Sequence, residues 1–241
     1  MPKIKFISNQ DWTKKTSPST PGPTLKELPE WYVEADRFYK MPDGEYYIGP
    51  DGGKMPTWKA CPAMYDAFGT GYVLKTPTDI EFFINDQGII DCKVADKRYL
   101  EFISKRPPMP GFDAPMGYHE DHFAWYSDWG IQTDKGYSTL YLTPMNRFDL
   151  PFQNTTGIID TDSVSLPGTL PFFIAKGWTG TLPAGTPYVQ LIPFKREDWK
   201  SDLEERNMQE IYMANVTNSM KFRKPDGGVY QKDVWSRRKY E

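Results

Sequence analysis

A chain of 241 residues is long enough to bury roughly 70% of the surface its unfolded form exposes, so one large or two small domains can fold without staples. Its 39% hydrophobic content draws heavily on rings, with 8 Trp and 15 Tyr, which favours sheets over helix bundles. A net charge of −3 excludes a globally basic nucleic-acid binder, and two cysteines, Cys61 and Cys92, exclude a disulfide framework.

The opening residues, MPKIKFISNQDW, carry no apolar signal core, and nowhere does an apolar run reach membrane length. The expectation is a chain with no membrane partner, kept in the cytoplasm where it is made, with both thiols reduced and partly buried. Residues 13–23, TKKTSPSTPGP, lack apolar periodicity and read as an extended arm that orders only against a neighbouring subunit or partner. A helix is predicted from Glu30 to about Lys40, with Pro29 at its entry. GEYYIGPDGGKMPTW then reads as a hairpin turning at Pro50 to Gly53, which makes 1–57 a region of arm, helix and hairpin.

CPAMYDAFGTG, residues 61–71, predicts a short helix begun by Pro62 and stopped by Gly69, followed by strands at Tyr72 to Leu74 and Ile80 to Ile84. Four prolines in RPPMPGFDAPMG forbid both helix and central strand, leaving a surface loop from Arg106 to Gly117. From Tyr118 to Phe194, short strand-like runs separated by Gly, Pro and Asn suggest a barrel or sandwich. Helical spacing after Arg196 predicts a terminal helix from about Asp198 to Met220. Lys221 to Glu241 then carries seven Lys or Arg against three acids, read as a solvated end. The expected division is a β-rich core over 58–197 and a carboxy-terminal helix with a basic tail over 198–241.

The two histidines, His119 and His122, sit in HEDH. Side chains three apart on a strand point to opposite faces, and a third imidazole is missing, so the expectation is no metal and no cofactor. There is no GxSxG, GxxxxGK or GxGxxG, and PDGG at Pro50 to Gly53 and Pro225 to Gly228 reads as ordinary turn chemistry. Trp125, Trp129, Trp178 and Trp199 are candidates for a stacking platform, weighed against plain core positions.

GIIDTDSVSLPGTLPFFIAKGWTGTLPAGTPYVQLIPF, Gly157 to Phe194, resembles the third motif region of the trimeric dUTPase and dCTP deaminase superfamily. The resemblance implies that Asp160 activates the attacking water or contacts the sugar, with Asp162, Asn146 and Arg147 as nearby ligand-binding residues. Ser163 stands where that family carries an aromatic. The Arg-Ser-Ser phosphate motif has TPMNR, Thr143 to Arg147, as its nearest feature, and the glycine-rich closing arm is missing. A second likeness, over roughly residues 58–200, is to an uncharacterised family of bacteria and tailed phages, including cyanophages. It is carried by CPAMYDAFGTGY, TDKGYSTLYLTPMNRFDLPF, GIIDTD and LPAGTPYVQLIPFKREDW. Read structurally, Asn146 and Asp160 tie adjacent loops by side-chain hydrogen bonds.

The sequence therefore predicts a mainly β protein with a barrel or jelly-roll-like, dUTPase-like central domain between an amino-terminal and a carboxy-terminal helix. The leading functional expectation is a non-catalytic structural or interaction protein, phage-associated and oligomeric, in the host cytoplasm or a virion, with itself or other phage or host proteins as partners. The alternative is a nucleotide-binding or nucleotide-hydrolysing enzyme using Asp160.

Overall fold

Runs of β-branched and aromatic residues broken by Gly, Pro and Asn make strands short and numerous. A computed structural model describes residues 1–8, 18–50, 52–163, 168–205, 207–222 and 235–241. In chain order come β1 (Ile4–Ser8), β2 (Gly22–Pro23), α1 (Glu30–Glu34), α2 (Pro62–Gly69), β3 (Tyr72–Lys75), β4 (Ile80–Ile84), β5 (Ile90–Val94) and β6 (Ile103–Arg106). They are followed by β7 (His122–Tyr126), β8 (Trp129–Thr133), β9 (Tyr137–Leu142), β10 (Phe152–Asn154), β11 (Gly157–Ile159), β12 (Thr169–Ile174), β13 (Gly180–Leu182), β14 (Pro187–Lys195) and α3 (Met208–Phe222). The protein is mainly β, and no helix among the described residues is long and apolar enough to cross a membrane.

Two compact units share the chain. The first comprises Met1–Glu27, Thr70–Arg196 and Tyr240–Glu241, and the second Leu28–Gly69 and Glu197–Lys239. The pairing of β2 with β3 brings amino-terminal strands from the expected 1–57 region into the β-rich unit, and that unit's long segment ends at Arg196, beside the expected 197/198 boundary.

In the first unit every strand pairing is antiparallel, in sheets of order β1-β8, β10-β12-β7-β6, β11-β9-β14-β3-β2 and β13-β4-β5. Strands β7 and β14 lie inside their sheets with neighbours on both sides, and each carries an unbroken buried run, His122 to Trp125 and Pro187 to Leu191. The sheets share one core. Trp125 of β7 meets Tyr188 of β14 at 5.0 Å, and Phe82 of β4 meets Phe123 of β7 edge-on at 5.3 Å. Buried Asn154 links three strands, accepting from Trp125 Nε1 at 3.0 Å and donating to the Tyr188 carbonyl at 2.6 Å. The approach to β3 is close. A Cβ on Gly71, at φ +79, would lie 2.0 Å from the Leu191 carbonyl oxygen, so only glycine fits there.

Among the described residues no sheet closes on itself, so open antiparallel sheets replace the expected barrel. Nor does Gly157 to Phe194, whose short runs between turn residues predict adjacent antiparallel strands of one sheet, form them. Strand β11 pairs with β9, β12 with β7 and β10, β13 with β4, and β14 with β3 and β9. The connections carry the chain from one sheet to another instead of reversing it as a tight hairpin.

The expected arm from Thr13 to Pro23 lies in part outside the described residues, but its end, 18–23, is ordered by the chain itself. There Ser19 is buried and Gly22–Pro23 pairs with β3. In the second unit the helix expected to reach Lys40 stops at Glu34, because Ala35 turns extended (φ −54, ψ 139). Phe38, Lys40 and Ile48 then bridge to Pro56, Tyr46 and Lys54, which forms the hairpin region. Helix α3 starts at Met208, ten residues after the expected Asp198, where Asn207 caps it by accepting from the Gln209 N–H at 2.9 Å. Most of the basic tail, and the second PDGG, lie outside the described residues. Both cysteines are free. Cys61 is exposed, which corrects its expected partial burial, and burial pushes the half-buried Cys92 thiol up to about 12.

Candidate functional site

Strand β11 is three residues long, and its alternation sets the site. Ile158 points out and is 63% exposed, so Gly157 and Ile159 share the inward face. Gly157 stands opposite Tyr141 in register, and a Cβ there would meet no atom within 4 Å. The inward position that a side chain would fill is open, and a cavity of about 240 Å³ lies there. Trp125 and Leu170, a cross-strand pair of β7 and β12, form one wall. Leu74, Tyr141, Tyr188 and Val189 form the other, and Trp129 and Ile159 complete the lining. Trp125 is held in place by parallel stacking on Phe172, centroids 3.8 Å apart and planes 6° apart.

The lining is apolar with polar groups at its edge. Between β7 and β8 the Ser127 hydroxyl accepts from the Trp129 N–H and donates to the Trp129 carbonyl, both at 3.0 Å, which closes the turn that presents Trp129. Beside it, burial pushes the Asp128 carboxyl up to about 6. Burial also raises the Tyr141 and Tyr188 hydroxyls, with the charge of Asp128 adding to the effect on Tyr188, so both phenols stay protonated at neutral pH. Asp128 Oδ2 and Trp129 Nε1 are buried without hydrogen-bond partners among the described residues. An aromatic slot with a few hydroxyls suits a small flat ligand that is mostly apolar and carries one hydrogen-bonding group.

The residues named from sequence lie elsewhere. Asp160 Oδ1 accepts from Ser138 Oγ at 2.6 Å and pairs with Arg196 Nη1 at 3.3 Å. Asp162 pairs with Arg196 Nη2, accepts the Gly136 N–H at 2.7 Å and accepts from Ser163 Oγ at 3.1 Å. The Arg196 guanidinium, with the Gly136 amide, holds the Asp162 carboxyl well below the usual carboxylate range. Between the two acids, Thr161 is buried and its hydroxyl meets those of Thr133 and Thr139, each at 2.8 Å. Asn146 adopts a left-handed φ of 60 in the loop after β9. Arg147 makes a two-pronged contact with Asp149 and reaches the Glu27 carbonyl. Asp160 stands at the Ser138 level of β9, whereas Asn146 and Arg147 follow Leu142 at its other end, roughly 14 Å along the strand. Asp160 and Asp162 are brought together; Asn146 and Arg147 are not brought to them.

His119 and His122 are both lowered chiefly by burial. His122 stacks on Phe173 at 5.4 Å, and no group of three or more His, Cys, Asp or Glu side chains clusters among the described residues. Of the four tryptophans named as a stacking platform, Trp125 and Trp129 line the cavity, Trp178 packs against Phe82, and Trp199 is 89% exposed. Sequence reading passed over Ser127 and Asp128, whose signal was a two-residue polar break between two aromatic runs. Comparison with family models, curated proteins and solved structures finds no match to this chain.

Proposed function

We propose that the protein works by binding, and that its β-rich unit holds a small, flat, largely apolar ligand in the cavity beside Gly157. The observation that carries this reading is the unfilled inward position of β11 inside an aromatic-lined space of about 240 Å³. An apolar cavity of roughly 150 Å³ already takes a benzene-sized guest, so a bicyclic ring is a suitable occupant. The likeness of residues 58–200 to bacterial and tailed-phage proteins supports a phage or bacterial setting. The jelly-roll, dUTPase-like reading of the sheets rests on the likeness of 157–194. The alternative, hydrolysis at Asp160, would require phosphate ligands near that carboxylate. Its described cationic neighbour is Arg196, shared with Asp162, and Arg147 is engaged by Asp149 at the far end of β9.

Thermal unfolding with indole as the probe tests the proposal. The midpoint is expected to rise with indole concentration, as for any ligand that binds only the folded state. Gly157→Leu, which fills the space, raises the midpoint of the unliganded protein through about 1 kcal/mol of added stability and cancels the response to indole. A wild-type midpoint that ignores indole contradicts the proposal.

A further inference from the structure

The second unit contains a site of opposite character. A pocket of about 380 Å³ is lined by Arg37, Lys59, Arg237, Tyr32, Tyr65 and Trp235 among others, with no Asp or Glu among the described residues of its lining. We propose that it binds a phosphomonoester joined to an aromatic ring, of nucleoside monophosphate type.

Three observations converge on an anion with a planar body. First, three cationic side chains share one concave surface, with Lys59 held there by donating to the Val33 carbonyl, and a dianion offers all three a counter-charge. Second, the Arg237 guanidinium lies over the Trp235 and Tyr65 rings, 5.0 Å and 5.4 Å from their centroids, which fixes its fork while its N–H edge keeps its donors. Trp235 is itself anchored, donating from Nε1 to Asp66 Oδ2 at 2.8 Å and meeting Tyr65 edge-on at 5.8 Å. Third, Tyr32 is 3% exposed and lines the pocket, yet its hydroxyl has no hydrogen-bond partner among the described residues. It lies near Tyr65 and Cys61, both in the same lining, and burial keeps it protonated as a donor. A buried donor without an acceptor is completed by a ligand oxygen.

The charge count selects phosphate over carboxylate, since a phosphate offers two negative charges and three acceptor oxygens to cations and a hydroxyl. Leu28 and Val33 add an apolar wall that a bare inorganic ion would leave unused and that an aromatic ring can cover. This pocket is separate from the cavity beside Gly157, so either binding activity stands or falls without the other.

Isothermal titration calorimetry on the full chain at low salt, with adenosine monophosphate, inorganic phosphate and adenosine as probes, tests the proposal. Adenosine monophosphate is expected to bind one to one and at least about tenfold more tightly than either fragment. Added salt weakens the binding. Arg37→Gln and Arg237→Gln each weaken it by about tenfold or more, while Arg237→Lys restores part of the loss. Unchanged thermal midpoints show that the variants fold, and Lys59→Gln replaces any that do not. Absence of saturable nucleotide binding, adenosine binding as tightly as the nucleotide, or binding indifferent to all three neutralising substitutions overturns the proposal.

Discussion

The two ends of β11 differ in what fills them. At Gly157 the inward face is open, walled by Trp125, Tyr141, Tyr188 and Leu170. Three residues later the chain is closed by a dense polar clasp in which Asp160, Thr161 and Asp162 all find partners on β9, on the turn before it and on Arg196. The residues with the more chemical appearance fasten the sheet edge, and the residue with no side chain makes the room for a ligand. Functional groups that are saturated by their own fold have little left to offer a substrate, whereas an unfilled apolar volume can still gain by burying something.

Substitutions on either side sharpen that contrast. The largest loss is expected for Trp125→Ala, which empties a fully buried ring from between Phe172 and Tyr188 and leaves Asn154 Oδ1 without its donor. Denaturant unfolding should show a loss of about 3–5 kcal/mol. A loss below about 1 kcal/mol would mean that the cavity wall is not part of the core.

Asp128→Asn tests the polar edge of the cavity through pH. Burial raises the folded carboxyl to about 6, so the folded state holds its proton more tightly than the unfolded chain does. Wild-type stability therefore falls as pH rises from about 4 to about 6 and carries the full cost above that. The asparagine variant, which cannot ionise, is more stable above about pH 6 and loses that advantage below about pH 4. Full burial would make the gain ~3 kcal/mol; partial solvent access reduces it to about 1. Parallel pH profiles for the two proteins would contradict the burial of Asp128.

The smallest effect at neutral pH is expected for Asp162→Asn, because the amide oxygen still accepts the Gly136 N–H. The sign in acid is opposite to that of Asp128. Arg196 and the Gly136 amide depress the folded carboxyl, so its stabilisation is present above the unfolded value and lost as pH falls below it. Wild type should lose more stability than the variant between about pH 5 and pH 2. Superimposable acid denaturation curves would show that the clasp carries no charge coupling.

Strand content was legible in the sequence because it rests on local pattern. Short aromatic and β-branched runs between turn residues predicted β3, β4, β7 to β9 and β11 to β14 but not β10, and Pro62 and Gly69 bracketed α2. Pairing was not legible. Nothing local in GIIDTD says that β11 joins β9 while β12 joins β7, and the same gap turned an expected barrel into open sheets. Helix α1 was overestimated because Trp31, Val33, Ala35, Phe38 and Tyr39 would leave a mainly apolar side on a helix, while the bridge from Phe38 to Pro56 takes the chain into an extended pairing. The candidate site was half visible. Trp125 and Trp129 were flagged as aromatics, but the space between them depends on Gly157 facing Tyr141, a long-range register that only the fold supplies.

Methyl chemical shifts during an indole titration address the cavity most directly. Binding beside Gly157 predicts saturable shifts of the Ile159, Leu170 and Val189 methyls, which line it, with Ile90 of β5, which is outside the lining, unmoved, and no response in Gly157→Leu. Unmoved Ile159, Leu170 and Val189 methyls in the wild type, or the same shifts in Gly157→Leu, would contradict it.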